Sequence, residues 1–388
     1  SFTNRFTAKV GELLPIFTKE CLPGDSFKIN PSWFTRTQPI NSAAYGRLRE
    51  YVDFYFVPYH LLWSFFPDWI TQMNDAQFAS SNSGKVNLSS FSPYFTDSDI
   101  QSYLLEYTML TGTEDTRQWI PDANPDGNPK MNMWGFNRGS LSNKLLQYLG
   151  YGQFLTNSGK KNGNFSGVRL SLWRLLSYQK ICQDWFRPQQ WQRSQSWLFN
   201  INYLQSGNKY TFPPSSYQNI LDLQYALYKK DYFTGLLPKA QYGDESYLNI
   251  NGQFNLTNLE TFNTSAGELN PVSLSSTYSS SYPDFPNGGI SVLALRKAQA
   301  LQKWKEVSQC ADKSYRSQME KHFGAKVRGV SDHLSTHIGG TSSSINISPV
   351  VNNNLTDGSA DIKGMGTGGS NGTFSFDCHN NTMFMAIK

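Results

Sequence analysis

Residues 47–58 read RLREYVDFYFVP, which places Leu48, Val52, Phe54 and Phe56 on one face and Arg49, Tyr51, Asp53 and Tyr55 on the other. Such period-two alternation predicts a sheet strand whose second face meets water or a partner. Upstream, Leu22-Pro-Gly-Asp25 is a type II turn signal, because proline presets φ and glycine accepts a positive one. The first 66 residues are therefore predicted as strands. Pro58 ends the long one, and the aromatic-rich stretch 59–69 is expected to be irregular or briefly helical. The period changes over 170–186, where Leu172, Leu175, Leu176 and Ile181 share a helical stripe. The clearest helix is 290–307, filled with Ala, Leu, Lys and Gln after Asn287-Gly-Gly289. Residues 372–378 alternate again as a strand, His379-Asn-Asn381 reads as a turn, and 382–388 begins another strand.

The intervening stretches are polar and weakly periodic. Residues 70–140 read as loop, with Asp122-Ala-Asn-Pro-Asp-Gly127 as a turn cluster. Residues 197–288 are rich in Asn, Ser, Tyr and Gly, with short alternating pieces such as 247–256, and form a candidate surface insertion. His337-Ile-Gly-Gly340 opens a Gly/Ser/Asn-rich tail. Strands first and last with helices between them predict a mainly β chain, an antiparallel sandwich whose terminal segments pair. No regular βαβ alternation supports a doubly wound fold. The expectation is one domain over 1–388. A chain that stops inside a strand leaves half a ladder unpaired, and the first residue is not Met, so both native termini are expected to be missing.

Composition narrows the class. Charged residues make up 16% of the 388, against roughly a quarter in an average domain, while aromatics reach 15%. No apolar run approaches the ~18 residues of a membrane helix, so no membrane insertion is expected. Abundant Phe, Tyr, Trp and Leu exclude wholesale disorder, and 30 Gly with 18 Pro exclude a coiled coil. Residues 1–9 are polar and hold no signal-peptide h-region. The cysteines Cys21, Cys182, Cys310 and Cys378 lie far apart without a C-x-x-C pair and read as reduced, mostly buried thiols.

Catalytic signatures fail one by one. Residues 364–369 match G-x-G-x-x-G, but no helix follows to receive a pyrophosphate, so a flexible turn is expected. His333 and His337 have the i, i+4 spacing of zinc ligands, yet Leu334 stands where a general-base Glu would be and no third ligand is evident. No Walker A or G-x-S-x-G sequence occurs, and the sparse carboxylates nominate no glycosidase pair. No enzyme activity, catalytic residue, cofactor or metal is expected. Charge placement says more. Residues 296–328 hold nine basic residues against three acidic ones, a net of +6, while the rest of the chain sums to −1. Arg296, Lys297, Lys303, Lys305, Lys313, Arg316, Lys321, Lys326 and Arg328 are interleaved with Trp304, Tyr315 and Phe323. A nucleic-acid strand would meet this mixture as phosphate contacts and base stacking; a solvated helix face would look the same. The nine cations and Trp304 are the candidate nucleic-acid contacts.

Several stretches, in order, resemble the major capsid protein of the Microviridae, the small tailless single-stranded DNA phages. They are FTAKVGELLP (6–15), LPGD (22–25), YVDFYFVPYHLLW (51–63), YQKICQDWF (178–186), KDYFTGLLPKAQYG (230–243), ALRKAQALQKW (294–304) and DIKGMG (361–366). The gokushovirus-like and Bacteroidetes-associated lineages are the most similar. The resemblance implies a single jelly-roll barrel of viral capsid type with long loop and helical insertions. It implies a T=1 icosahedral shell of identical subunits around circular single-stranded DNA, made in the bacterial cytoplasm and carried in the virion. Contacts with a pilot protein, a host surface receptor and, in some lineages, an internal basic protein are implied as well. The family has no catalytic residues to carry over, and its members continue beyond 374–388 into further strand and a tail. The alternative from another class is a carbohydrate-binding or carbohydrate-processing β-sandwich. Exposed aromatics with Asn and Gln suit sugar stacking, and jelly rolls host both functions.

Overall fold

The computed structural model describes residues 3–39, 48–71, 92–100, 133–154, 167–187, 195–204, 209–212, 220–227, 292–311, 314–325, 333–350 and 363–388, with shorter pieces within 110–131, 232–246 and 260–271. The chain forms two compact units. One takes Ser1–Pro188, Gln192–Lys229 and Gly329–Lys388; the other takes Gln189–Trp191 and Lys230–Arg328, and so interrupts the first in sequence.

The first unit opens with β1 (Pro15–Cys21), β2 (Ser26–Ile29), β3 (Ser32–Arg36) and β4 (Leu48–Pro58). Short antiparallel ribbons follow. β5 (Tyr94–Thr96) pairs with β10 (Arg169–Ser171), β6 (Leu110–Thr111) with β7 (Gln118–Trp119), and β8 (Pro121–Ala123) with β9 (Pro129–Met131). In the second unit β11 (Glu260–Asn263) pairs with β12 (Glu268–Pro271). The first unit closes with β13 (Thr336–Val350), β14 (Lys363–Asn371), β15 (Phe374–Asp377) and β16 (Thr382–Ile387). Its main sheet has the order β1-β16-β4-β13-β14-β3, and every pairing in it is antiparallel. The predicted pairing of terminal segments is thus present. Because β16 is paired on both flanks, by β1 and β4, the half-unpaired ladder expected for that strand does not occur.

Period-two alternation in β16 serves two cores. All six of its residues are buried, with Met383, Met385 and Ile387 in one cluster and Phe384 and Ala386 in the other. β4 follows suit, sending Tyr55 and Val57 one way and Val52 and Phe54 the other. The second cluster lies between the main sheet and the β2–β15 ribbon. Phe376 stacks on Phe384 at 4.7 Å and meets Phe56 edge-on at 4.9 Å, while Phe374 lies 4.8 Å from Phe54. Sheet packed on ribbon through interdigitating phenylalanines is the sandwich arrangement of a jelly roll. The fold is mainly antiparallel β of that type, with helical insertions.

The larger cluster is built against α1 (Phe66–Thr71), α2 (Met133–Tyr148) and α3 (Trp173–Ile181). The stripe predicted over 170–186 is correct, since Leu172, Leu175, Leu176 and Ile181 are all fully buried. Its polar side is buried too. Gln179 Nε2 donates to the carbonyls of Ile220 (2.9 Å) and Asp222 (2.8 Å). The Tyr178 hydroxyl donates to Leu13 O (2.8 Å) and accepts from Gln224 N (3.0 Å). α3 runs on into a π turn, Cys182–Phe186, where Asp184 accepts from Lys180 Nζ (2.9 Å), Ser335 N (2.7 Å) and Ser335 Oγ (2.9 Å). Lys180 also donates to His333 O at 2.8 Å. Burial raises the Asp184 pKa above the ordinary carboxylate value, with Lys180 and Ser335 acting the other way. This cluster pins the entry of β13 to α3.

Three expectations are corrected. The outer face of β4 is wet only in part: Arg49 and Tyr51 are exposed, but Tyr55 is buried beneath Trp185, Phe186 and His337. The glycine-rich stretch 364–369 is strand β14 rather than a turn, and the tail from 337 is strand β13. Glycine is required there by close approach. A Cβ on Gly369 would lie 2.7 Å from Trp33 O, and one on Gly368 would lie 2.8 Å from Glu50 Oε1. The i, i+4 pair His333 and His337, not read as a helical zinc site, is placed apart from any helix: His333 has φ 51°, and His337 sits on β13 with Nε2 3.2 Å from Asp53 Oδ1. Finally, the stretch expected to be loop up to 140 contains the first half of α2. Cys21, Cys182 and Cys378 are buried thiols as expected, whereas Cys310 is exposed. The strand-like piece 247–256 lies outside the described residues. Among the described residues no helix is long and apolar enough to cross a membrane.

Candidate nucleic-acid interface

The basic segment falls in the second unit, on α4 (Val292–Gln309) and α5 (Tyr315–Phe323). α4 follows from its Ala-, Leu-, Lys- and Gln-rich sequence, close to the span 290–307 predicted for it. α5 is set by its caps. The Ser314 hydroxyl accepts from Ser317 N (3.3 Å), and Gly324 takes the left-handed conformation, φ 66°, that ends the helix.

α4 has two functional sides. Gln302, Lys305, Glu306 and Gln309 recur at i, i+3, i+4 and i+7, one face of a helix. Gln302 donates to Gln241 Oε1 and to Glu306 Oε1 (3.0 Å) and accepts from Ser246 N (3.4 Å). Lys305 donates to the Asp244 carbonyl, and Gln309 is buried. That side therefore docks on Gln241, Asp244 and Ser246. Leu293, Arg296, Lys297, Ala300, Lys303 and Trp304 have the same spacing on the other side, and all six are exposed.

The two helices are tied at Trp304. Its ring stacks on His322 with centroids 3.8 Å apart and planes 17° from parallel, and Phe323 meets it edge-on at 5.7 Å. Ser308 Oγ lies 2.8 Å from His322 Nε2, and Gln318 Nε2 donates to Ser308 O at 3.0 Å. With His322 stacked on its ring, Trp304 is still 47% exposed, on the same side of α4 as Lys297 and Lys303. A partly exposed aromatic on a helix side that also carries exposed cations can stack a base while the cations contact phosphates.

The structure thus brings Arg296, Lys297, Lys303 and Trp304 onto one face. Arg316, Lys321, Tyr315 and Phe323 are exposed on α5. It takes Lys305 away, since that side chain is half-buried and bonded within the unit. Lys313, Lys326 and Arg328 lie outside the described residues. His322 was missed. Eighteen residues separate it from Trp304, and only the pairing of the two helices makes them neighbours.

Comparison with known proteins adds two findings. A family profile described as capsid protein (F protein) matches residues 1–105 and 158–384. It takes in the main sheet as far as Phe384 together with α3, α4 and α5, and it leaves out α2. Capsid protein VP1 of Chlamydia phage 1 is similar, 21% identical over a 419-residue alignment that covers 89% of this chain. The chain spans about 61% of the length of that curated relative.

Proposed function

The chain belongs to the capsid protein (F protein) family, the major capsid proteins of the Microviridae, and from that premise we propose that identical copies close into a T=1 icosahedral shell around circular single-stranded DNA. The family is structural rather than enzymatic, so the carbohydrate-processing alternative falls away. The observation that carries the reading is the extent of the match, which runs through the main sheet and both basic helices. Exposed Phe34 and Tyr51 on the sheet, and Leu293, Leu301 and Tyr315 on the helices, support it, because large apolar and aromatic groups are the material of contact surfaces. Expression of the chain should yield particles of uniform size by electron microscopy and sedimentation. A chain that stays monomeric at every concentration and salt tested would overturn the reading.

Within that shell, Arg296, Lys297, Lys303, Trp304, Arg316 and Lys321 are proposed to face the genome, phosphates meeting the cations and a base meeting the exposed part of Trp304. Lys305 is assigned to holding α4 in place. Each phosphate contact contributes about 0.7 to the slope of log affinity against log salt for a single strand. Replacing Arg296 and Lys303 by Gln should therefore lower that slope by about 1.4 and reduce packaged DNA while shells still form. Unchanged slope and packaging would count against this face. Residues 197–288 are proposed as an insertion available to a receptor, with a pilot protein and an internal basic protein as further partners.

A further inference from the structure

Two of the buried thiols occupy one corner of the β-sandwich. Cys21 is the last residue of β1, in register with Thr382 of β16. Cys378 directly follows β15, whose final residue Asp377 is in register with Ser26 of β2. Between these two pairings the 22–25 turn is laced onto Cys378. Gly24 N donates to Cys378 O, and Cys378 N donates to Asp25 O, both at 2.8 Å. Both side chains are buried in the same small core, beside Phe384 and Ala386. Cys182 belongs to the other core, and Cys310 is exposed in the second unit.

We propose that Cys21 and Cys378 form a disulfide site, reduced in this structure, which a small-molecule disulfide such as oxidised glutathione converts to a cross-link between the β1–β2 and β15–β16 corners. The step balances as two exchanges. The Cys378 thiolate, its proton lost to solvent, attacks a glutathione sulfur, forming a mixed disulfide and releasing one glutathione thiolate. Cys21, on losing its proton, attacks the Cys378 sulfur and releases the second glutathione. Two protein thiols are oxidised and one glutathione disulfide is reduced.

The thiols lie within reach of each other's charge. Burial and then Cys378 push the Cys21 pKa up to about 12, and burial raises that of Cys378 while Cys21 acts the other way. Both thiols therefore ionise less readily than a free cysteine. The small thiolate population keeps the pair inert in a reducing cytoplasm and makes closure slow, faster as pH rises. The cross-link would join two segments far apart in the chain, the case in which the unfolded state loses most freedom.

The four cysteines fall in four different tryptic peptides, so the linkage is directly readable. In the full-length Cys310→Ser chain, incubation with oxidised glutathione at mildly alkaline pH should reduce the thiols titrated after denaturation from three to one. A non-reducing tryptic map should then show peptide 20–28 joined to peptide 364–388. The thermal midpoint should rise by several degrees and fall back on reduction. Cys21→Ser in the same background should abolish both the linked peptide and the shift. Three titratable thiols after exhaustive oxidation, or a linkage involving Cys182, would overturn the proposal. The map of the parent chain decides the matter even where Cys21→Ser fails to fold.

Discussion

Removing the negative charge of Asp184 tests whether the α3–β13 junction is held by a buried ion pair. The side chains of Lys180 and Asp184 are each 6% exposed. Asp184→Asn keeps the shape and can still accept from Ser335 N. It leaves the Lys180 ammonium without the Asp184 charge, beside the His333 carbonyl and the Phe199 ring, 4.6 Å away. Stranding one member of a buried pair costs about 3–5 kcal/mol. Replacing both, Lys180→Met with Asp184→Leu, strands no charge and forfeits chiefly the Ser335 hydrogen bonds, a loss of about 1–3 kcal/mol. The double variant should therefore be more stable than Asp184→Asn. The assay is urea denaturation followed by tryptophan fluorescence, for which Trp185 is well placed, its Nε1 donating to Ser335 Oγ at 3.0 Å. A double variant at least as damaged as the single one, or a single loss below about 1 kcal/mol, would show that the pair is incidental.

Tyr178→Phe removes the partner of both Leu13 O and Gln224 N and should lower stability by about 1–3 kcal/mol, read as a drop in denaturation midpoint. Gly369→Ala drives a Cβ against the Trp33 carbonyl and should cost about 1–3 kcal/mol. Gly364→Ala should be milder, because its nearest atom is the movable Ile347 Cγ2 at 3.2 Å; thermal melts of the two compare them. Burial alone would raise the Glu50 pKa, but hydrogen bonds from Lys388, Thr35 and Ser343 bring it below the ordinary value. Its folded form binds protons less readily than the unfolded chain. The stability it contributes is therefore present above about pH 4.3 and is lost as pH falls through its folded pKa. Thermal midpoints between pH 3 and 7 should fall less steeply on the acid side in Glu50→Gln than in the parent.

What could be read in the sequence is what a local period records. The alternation of 47–58 and 372–388 and the helical repeat over 290–307 needed no partner to be recognised, and each became the element expected. The errors share one cause. Tyr55 sits on the polar face of β4 by sequence, but the π turn after α3 and β13 cover it, and they join it only in the folded chain. β13 and β14 looked like loop because Gly and Ser carry no hydrophobic signal. Their small side chains are what let Trp33, Glu50 and Asp53 approach the backbone. The stripe over 170–186 said nothing of its polar positions, whose partners come from the 220–224 segment. In the basic segment the charge excess was legible, but which cation faces outward was not. Lys303 and Lys305 are two residues apart and serve opposite sides of one helix.

The position of β16 between β1 and β4 also sets a clock. The two outer strands of this trio are complete once Pro58 has been made, but the strand that joins them lies roughly 320 residues further on. At about 5–20 residues per second, ribosomes need roughly 16–64 s to reach it. Throughout that interval β4 presents an open edge rich in Val, Phe and Tyr, the kind of template that recruits other nascent chains. A cell producing this protein in bulk must keep that edge covered, and a ribosome stalled anywhere before residue 382 releases a chain whose β1 has lost the strand that ties it to the main sheet.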